Sequence, residues 1–168
     1  LKVERFVRVK YSQTERVDDA RDIAHPLLRE ALLHTHVGGG IEISAMSDIP
    51  GRTGMGSSGS FTVALLAALH AHKRKQVLIQ DLAEEAHYEE AHYVETGRAS
   101  QPAGKHDHYL GAFGGLTALE INPSGKVTVT PLLISEHVAE ELPNSLVVFF
   151  TGIQRESADI LTQQDQDI

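Results

Sequence analysis

The feature that most constrains this 168-residue chain is a loop rich in glycine and serine that leads directly into a long apolar stretch. The loop reads SDIPGRTGMGSSGS over residues 47–60, and FTVALLAALHAH continues to residue 72. The apolar stretch predicts a buried helix, and the basic residues 73–75 after it suit the negative end of a helix dipole. The loop therefore brings the chain to a helix N-terminus.

Two familiar phosphate-binding motifs fit this loop poorly. A Walker A loop needs a lysine before its serine, and residues 51–57 contain none. Gly54, Gly56 and Gly59 spell the GxGxxG pattern of dinucleotide-binding domains. Asp81 even lies roughly where a ribose-binding acid would be. However, seven residues separate Met46 from Gly54, and the preceding IEISAMS alternates instead of forming a continuous apolar strand.

A third interpretation is a helix N-terminus that binds an anion through backbone N–H groups. Glycines let the backbone approach the anion closely, and the helix dipole favours negative charge. Ser57 and Ser58 add hydroxyl groups that can reach a phosphate or a magnesium ion. The alternative is a helix capped by a serine side chain, with nothing bound.

Composition excludes several other classes of protein. The chain has no cysteine, which rules out disulfides and thiolate metal sites and fits a cytoplasmic protein. Its net charge of −8 disfavours nucleic acid as a partner. No apolar run reaches the roughly 18 residues that a membrane span requires.

Residue periodicity predicts one α+β domain over residues 1–168, since strands and helices mix without strict alternation and no linker interrupts them. The predicted helices span residues 18–36, 57–72 and 81–95, and another begins at residue 157. The predicted strands span residues 5–12, 41–47, 111–121, 126–133 and 145–152, the last of them buried.

A second polar stretch, GKHDHYLGAFGG at residues 104–115, contains a candidate catalytic group. The sequence predicts that Asp107 lies in a glycine-flanked turn just before a glycine-rich strand. A carboxylate in such a place can accept or orient the proton of a hydroxyl group. The alternative is an aspartate that only caps a turn.

Together these stretches resemble the GHMP kinases, the superfamily of galactokinase, homoserine kinase, mevalonate kinase and phosphomevalonate kinase. Their loop signature P-x-x-x-G-[LM]-G-S-S-[AGS] corresponds to PGRTGMGSSG at residues 50–59. The resemblance implies an α+β domain with helices packed on a mixed sheet, and ATP and Mg²⁺ as cofactors. It places the nucleotide phosphates at Pro50, Gly51, Thr53, Gly54, Met55, Gly56, Ser57 and Ser58.

The resemblance also assigns the rest of the site. Asp107, with a Gly-Gly pair after it, corresponds to the catalytic aspartate of the family. Magnesium would be held by Ser57 and by Glu95, which lies twelve residues before Asp107. The residues implied on the substrate side are Lys105, Gly114 and Arg155.

Within the superfamily the sequence is most similar to kinases of D-glycero-D-manno-heptose 7-phosphate. Shared stretches include residues 10–12, 25–26, 29–32, 104–105 and 151–152. This similarity implies phosphorylation of the anomeric C1 hydroxyl of that sugar phosphate. Another GHMP sugar kinase, similar to fucokinase or galactokinase, and a non-catalytic nucleotide- or sugar-binding domain are the alternatives, and a homodimer stays open.

The sequence departs from the family pattern in three ways. His106 and His108 replace the usual glutamines beside Asp107, and a zinc site there would lack a third ligand. The echo of AHYEE in AHYVE suggests an insertion, which makes Glu89 or Glu90 rivals of Glu95 for magnesium. Relatives are about twice as long, so we expect a fragment of a longer kinase that lacks the N-terminal start and the C-terminal domain.

Overall fold

A computed structural model describes residues 5–48, 53–96 and 104–152, and gives the backbone alone for residues 90–96. Within these ranges the chain forms five α-helices, a short 3₁₀ helix, a three-stranded sheet and a two-stranded sheet. This is the predicted α+β class. No helix in the described ranges combines the length and the apolar character of a membrane span.

The three-stranded sheet is mixed. Strand β1 (Val7–Lys10) pairs antiparallel with β2 (Thr14–Val17) and parallel with β3 (Ile41–Ser44), so the order is β2-β1-β3. Val7 and Val9 alternate toward the core and are fully buried. On the opposite face Glu42 forms ion pairs with Arg8 and Lys10 of the neighbouring strand. The predicted strands 5–12 and 41–47 are thus present but shorter, and β2 was not predicted.

Helix α1 (Pro26–His34) is shorter than the predicted helix 18–36. A 3₁₀ helix (Ala20–Asp22) comes first, and the chain is extended at Ile23 and His25. Pro26 explains the break, because its ring clashes with the preceding turn and it lacks an N–H group. His25 Nδ1 instead caps the new helix by accepting a hydrogen bond from Leu28 N at 3.4 Å.

The core lies between the three-stranded sheet and two of the helices. Helix α2 (Ser57–His72) confirms the predicted helix after the glycine loop, and α3 (Ile79–Thr96) extends the predicted acidic helix at its N-terminal end. Apolar side chains of β1, α1, α2 and the chain on either side of α1 form one buried cluster, to which α3 contributes Ala86. Its largest fully buried members are Ile23, Leu28, Leu32, Leu66 and Leu69.

Residues 104–116 contradict the sequence-based prediction. Helix α4 (Lys105–Phe113) stands where we predicted a turn followed by a strand from residue 111. Lys105, Tyr109 and Phe113 are spaced four residues apart and therefore share one helix face. The rings of Tyr109 and Phe113 stack at 6.2 Å between centroids. Packing of this face outweighs the low helix propensity of Gly111.

The chain then forms a hairpin and a further helix. Strand β4 (Thr117–Ile121) pairs antiparallel with β5 (Val127–Pro131), in agreement with the second half of the predicted strand 111–121 and with the predicted strand 126–133. In the turn, Asn122 Oδ1 accepts hydrogen bonds from Ser124 N at 3.0 Å and Lys126 N at 2.9 Å. Helix α5 (Glu136–Asn144) follows and was not predicted.

The predicted buried strand 145–152 is wrong. This segment has no strand pairing, and Leu146 to Phe150 are exposed, with Phe149 at 82%. An apolar run becomes a buried strand only where a sheet edge and an apolar surface receive it, and the described part of the chain places neither beside this run. The predicted helix at residue 157 lies outside the described residues.

Helices α2 and α4 cross closely at two glycines. A Cβ atom on Gly59 would lie 2.8 Å from Asp107 Cβ and 3.2 Å from His108 N. A Cβ atom on Gly111 would lie 3.2 Å from the Cα atom of Ser60. Only residues without a side chain permit this separation, so the two glycines determine how near α4 lies to α2.

We predict that Gly59→Ala destabilises the protein although alanine is the better helix former. Overpacking at this crossing should cost about 1–3 kcal/mol, against a gain of about 1 kcal/mol in helix propensity. Chemical denaturation measures the difference. Gly38→Ala is the control, since a Cβ there meets nothing within 4 Å. Equal unfolding free energies for the two variants would contradict the close crossing.

Candidate active site

The glycine loop ends in a left-handed turn at the start of α2. Gly54 and Gly56 have φ angles of 76° and 64°, a region that glycine adopts without strain. Gly56 is the N-cap residue and has no side chain with which to cap the helix. The interpretation of a serine-capped helix is therefore wrong for α2. The positive end of the helix dipole faces the loop, as the anion-binding interpretation requires.

Asp107 lies directly against this loop. A Cβ atom on Gly56 would be only 2.8 Å from Asp107 Oδ1. The aspartate belongs to the first turn of α4, and its side chain is 37% exposed. The structure therefore brings together two features that stand about 50 residues apart in the sequence: the helix N-terminus and a partly exposed carboxylate.

The two histidines beside Asp107 have different environments. His106 Nε2 lies 3.1 Å from Asp107 Oδ1, and the His106 side chain is 62% exposed. His108 is buried, with its ring edge-on to His87 at 5.3 Å between centroids. Among the described side chains, no three acidic or histidine residues are grouped so that they could hold a metal ion.

Two residues that the resemblance placed on the substrate side have structural roles in this fold. Lys105 Nζ donates hydrogen bonds to Glu84 Oε2 at 3.1 Å and to the Gly125 carbonyl at 2.9 Å. Gly114 ends α4 with a φ of 65°, and its N–H bonds to the Leu110 carbonyl. Seven residues of helix put Gly114 about 10 Å along the axis from Asp107. Neither residue is therefore presented to the Asp107 carboxylate.

The structure describes some of the other predicted site residues and not the rest. Thr53, Met55, Ser57 and Ser58 lie in the described loop and the first turn of α2. Pro50, Gly51 and Arg155 lie outside the described residues. The backbone of Glu95 belongs to the last turn of α3, but its side chain is not described.

Glu89, one of the two alternatives to Glu95 as a magnesium ligand, pairs with a histidine of α1. Its Oε1 lies 2.8 Å from His34 Nδ1, and its side chain is only 8% exposed. This contact ties α3 to α1, on the other side of α3 from the α4 contacts of Glu84. A magnesium role for Glu89 therefore has no support from the geometry.

The sequence analysis missed a polar network on the opposite side of α4, which we call the Glu84 network (Gln80, Glu84, Lys105 and Tyr109). The Tyr109 hydroxyl donates a hydrogen bond to Glu84 Oε1 and accepts one from Gln80 Nε2 at 3.0 Å. Glu84 also pairs with Lys105. The i, i+4 spacing of Lys105 and Tyr109, matched by Gln80 and Glu84 on α3, was the available signal.

The network changes the pKa values of its members. Burial, and then the hydrogen bond to Glu84, raises the pKa of Tyr109 well above its ordinary value, so Tyr109 stays a neutral donor. Burial by itself would raise the pKa of Glu84. Hydrogen bonds from Tyr109 and Lys105 outweigh it, so the pKa of Glu84 lies below its ordinary value of 4.5. Glu84 is therefore an anionic acceptor at neutral pH.

Comparison with known proteins assigns the family. The sequence profile of the GHMP kinases N terminal domain matches residues 21–115, which is more than half of the chain. The chain belongs to the GHMP kinases. The matched region contains both the loop at α2 and Asp107, so the two features that the fold brings together belong to one family domain. The dinucleotide-binding interpretation of the loop is excluded by the same match.

Two individual proteins are similar to this GHMP kinase domain. A D-glycero-alpha-D-manno-heptose 7-phosphate kinase of Campylobacter jejuni is 32% identical over 114 residues, which are 68% of this chain and 32% of that protein. A crystal structure titled a D-glycero-D-manno-heptose 1-phosphate kinase, from Bacteriodes thetaiotaomicron, superposes with a TM-score of 0.69 at 18% identity. That match covers 82% of this chain and 47% of the other. The chain thus spans a third to a half of these relatives.

The Glu84 network generates a pH prediction. Because the folded pKa of Glu84 is lowered, its contribution to stability is present above about pH 4.5 and is lost as the pH falls through the folded value. Glu84→Gln should lower the melting temperature at pH 7. The difference from wild type should shrink below about pH 4.5. Thermal melts between pH 7 and 3 test this. Glu120→Gln, at an exposed position of β4, controls for carboxylate loss in general. A difference that is constant across this range would contradict the lowered pKa.

Proposed function

We propose that this GHMP kinase domain is the ATP-binding part of a sugar phosphate kinase. Its substrate in this proposal is D-glycero-D-manno-heptose 7-phosphate, phosphorylated on the anomeric C1 hydroxyl. One observation carries the proposal: the Asp107 carboxylate lies against Gly56, at the N-terminus of the helix that follows the glycine loop. The names of the two similar proteins supply the sugar class.

Phosphoryl transfer depends mostly on positioning and on neutralising charge. In our proposal the backbone N–H groups of residues 54–58 hold the β- and γ-phosphates. Left-handed Gly54 and Gly56 support this role, since they bring the backbone close to the anion without side chains between them. The dipole of the 16-residue α2 adds a favourable potential.

Asp107 handles the acceptor hydroxyl. Its side chain is partly exposed, so a sugar hydroxyl beside the phosphates can reach the carboxylate. The carboxylate orients the C1 hydroxyl for attack on the γ-phosphorus and takes its proton as the new O–P bond forms. At the same time the bond between the γ-phosphorus and the β,γ-bridging oxygen breaks, and ADP leaves. The exposed His106 side chain contacts one oxygen of the same carboxylate, Oδ1.

Magnesium is the metal that these residues suit. It prefers oxygen ligands, and the loop offers the Ser57 hydroxyl one residue after Gly56, which Asp107 touches. Ser57 and Glu95 would hold the ion, which supplies charge neutralisation on the β- and γ-phosphates when it is bound. Arg155 is the proposed cation for the substrate phosphate. The cytoplasmic location and a homodimer also remain predictions.

The direct test is turnover by the purified full-length protein with ATP and magnesium. Because the names of the two similar proteins differ in the position of the phosphate, heptose 7-phosphate and heptose 1-phosphate are both offered, with galactose and fucose as controls. We expect consumption of the 7-phosphate and a bisphosphate product. ATP binding without any product would instead indicate a non-catalytic domain.

We predict that Asp107→Asn lowers kcat by about 10²–10⁴-fold, the range for loss of a general base. The affinity for nucleotide should change little, because asparagine preserves the shape of the contact with Gly56. Steady-state kinetics and a separate nucleotide titration measure the two quantities. His106→Asn, a substitution at the adjacent residue, is the control and should retain most of the wild-type kcat. Unchanged kcat in Asp107→Asn would remove the base assignment, and loss of nucleotide binding would make Asp107 a metal ligand or a structural cap.

We also predict that Glu95→Gln raises the magnesium concentration needed for half-maximal rate, because one carboxylate ligand is lost. Magnesium titrations of turnover measure the change. Glu89→Gln is the control, since its carboxylate is paired with His34. If Glu90→Gln shifts the titration and Glu95→Gln does not, the metal role belongs to the inserted repeat.

A further inference from the structure

Helix α4 has two functional faces, and only one of them carries Asp107. Successive residues of a helix are turned by about 100°, so Lys105 and Tyr109 lie about 160° around the axis from Asp107. Asp107 and Gly111, four residues apart, share the face that meets α2. Lys105 and Tyr109 share the face that meets α3 and the hairpin. Contacts on both faces of α4, with α2 on one face and with α3 and the hairpin on the other, therefore determine the position of Asp107.

The contacts on the face of α4 opposite Asp107 converge on one residue, Glu84 of α3. It accepts hydrogen bonds from the Tyr109 hydroxyl and from Lys105 Nζ, one on each of its carboxylate oxygens. These two donors precede and follow Asp107 by two residues, so they hold the first turn and the middle of α4. Lys105 Nζ also bonds to the Gly125 carbonyl at 2.9 Å, which ties the same turn to the hairpin.

We propose that Glu84 is a positioning residue. By accepting hydrogen bonds from the opposite face of α4, it holds the Asp107 carboxylate at the loop. This inference rests on the proposed function of Asp107. It also gives Lys105 a role other than substrate binding: its ammonium group is the link between Glu84 and the start of α4. An error of about 1 Å in a reacting group can cost a hundredfold in rate, so loss of this link should be visible in kcat.

The control comes from the adjacent residue. Glu85 also lies on α3 and also forms ion pairs, but with His34 at 2.6 Å and His70 at 2.8 Å. These contacts tie α3 to α1 and α2 and do not involve α4. Glu85→Gln therefore removes the same kind of interaction from the same helix without releasing Asp107.

The first experiment compares kcat and KM of the variants at a temperature where all are folded, as checked by circular dichroism. Glu84→Gln and Lys105→Met should lower kcat about tenfold or more and leave KM for sugar phosphate and ATP within about twofold. Lys105→Arg should retain most of the rate, and Glu85→Gln should keep wild-type kcat. A rise in sugar phosphate KM in Lys105→Met, with kcat unchanged, would make Lys105 a substrate ligand and overturn the proposal.

The decisive experiment is a double-mutant cycle with Asp107→Asn. If Glu84 acts through Asp107, Glu84→Gln should change kcat less than twofold once Asp107 is already asparagine. Equal fold losses in both backgrounds would mean that Glu84 acts through general stability, and would overturn the proposal. If Asp107→Asn lowers kcat and Glu84→Gln does not, positioning fails while the proposed function stands. If Asp107→Asn keeps full activity, the base assignment fails, and the positioning proposal fails with it.

A crystal structure of Glu84→Gln gives a readout that does not need turnover. The first turn of α4 should move away from Gly56 and lengthen its contact with the Asp107 carboxylate. An unchanged position of Asp107 in that variant would refute the role of Glu84 even if the protein phosphorylates no sugar tested.

Discussion

The candidate active site depends on the close crossing of α2 and α4. Gly59 and Gly111 remove the side chains that would keep the helices apart, and the first turn of α4 consequently reaches the N-terminus of α2. A carboxylate at a helix N-terminus experiences the positive end of the dipole. The same end is where a triphosphate would be bound in our proposal. The crossing therefore places the Asp107 carboxylate, which would act on the acceptor hydroxyl, beside the helix N-terminus that would bind the phosphates.

This arrangement needs support behind α4, because a short helix with an internal glycine has little stability of its own. Tyr109 is fully buried and Lys105 is tied to α3 and to the hairpin turn. The largest core cluster lies elsewhere, between the sheet, α1 and α2. On the side of α4 that faces away from α2, the region around Asp107 is held by a small apolar cluster, Ala83, Tyr109 and Val127, together with the Glu84 network.

The contrast between α2 and α4 shows how far a sequence reading extends. Helix α2 was predicted correctly, because the continuous apolar, helix-forming sequence of residues 61–72 leaves no competing structure. Helix α4 was predicted as a turn and a strand, because Gly111 and Gly114 suggest breaks. In the fold Gly111 is a contact point and Gly114 is a helix end. Local sequence could not distinguish a glycine that breaks a helix from one that lets two helices meet.

By itself the sequence determined the glycine loop, the helix after it, the hairpin, the candidate carboxylate and the resemblance to the kinase family, since each follows from residues close together in the chain. Only the tertiary structure decided that Asp107 touches Gly56, that Lys105 faces Glu84 and not the loop, and that residues 146–150 are exposed in the described chain. These outcomes depend on contacts between residues far apart in sequence. Such contacts are set by packing and by helix orientation, which local periodicity does not encode.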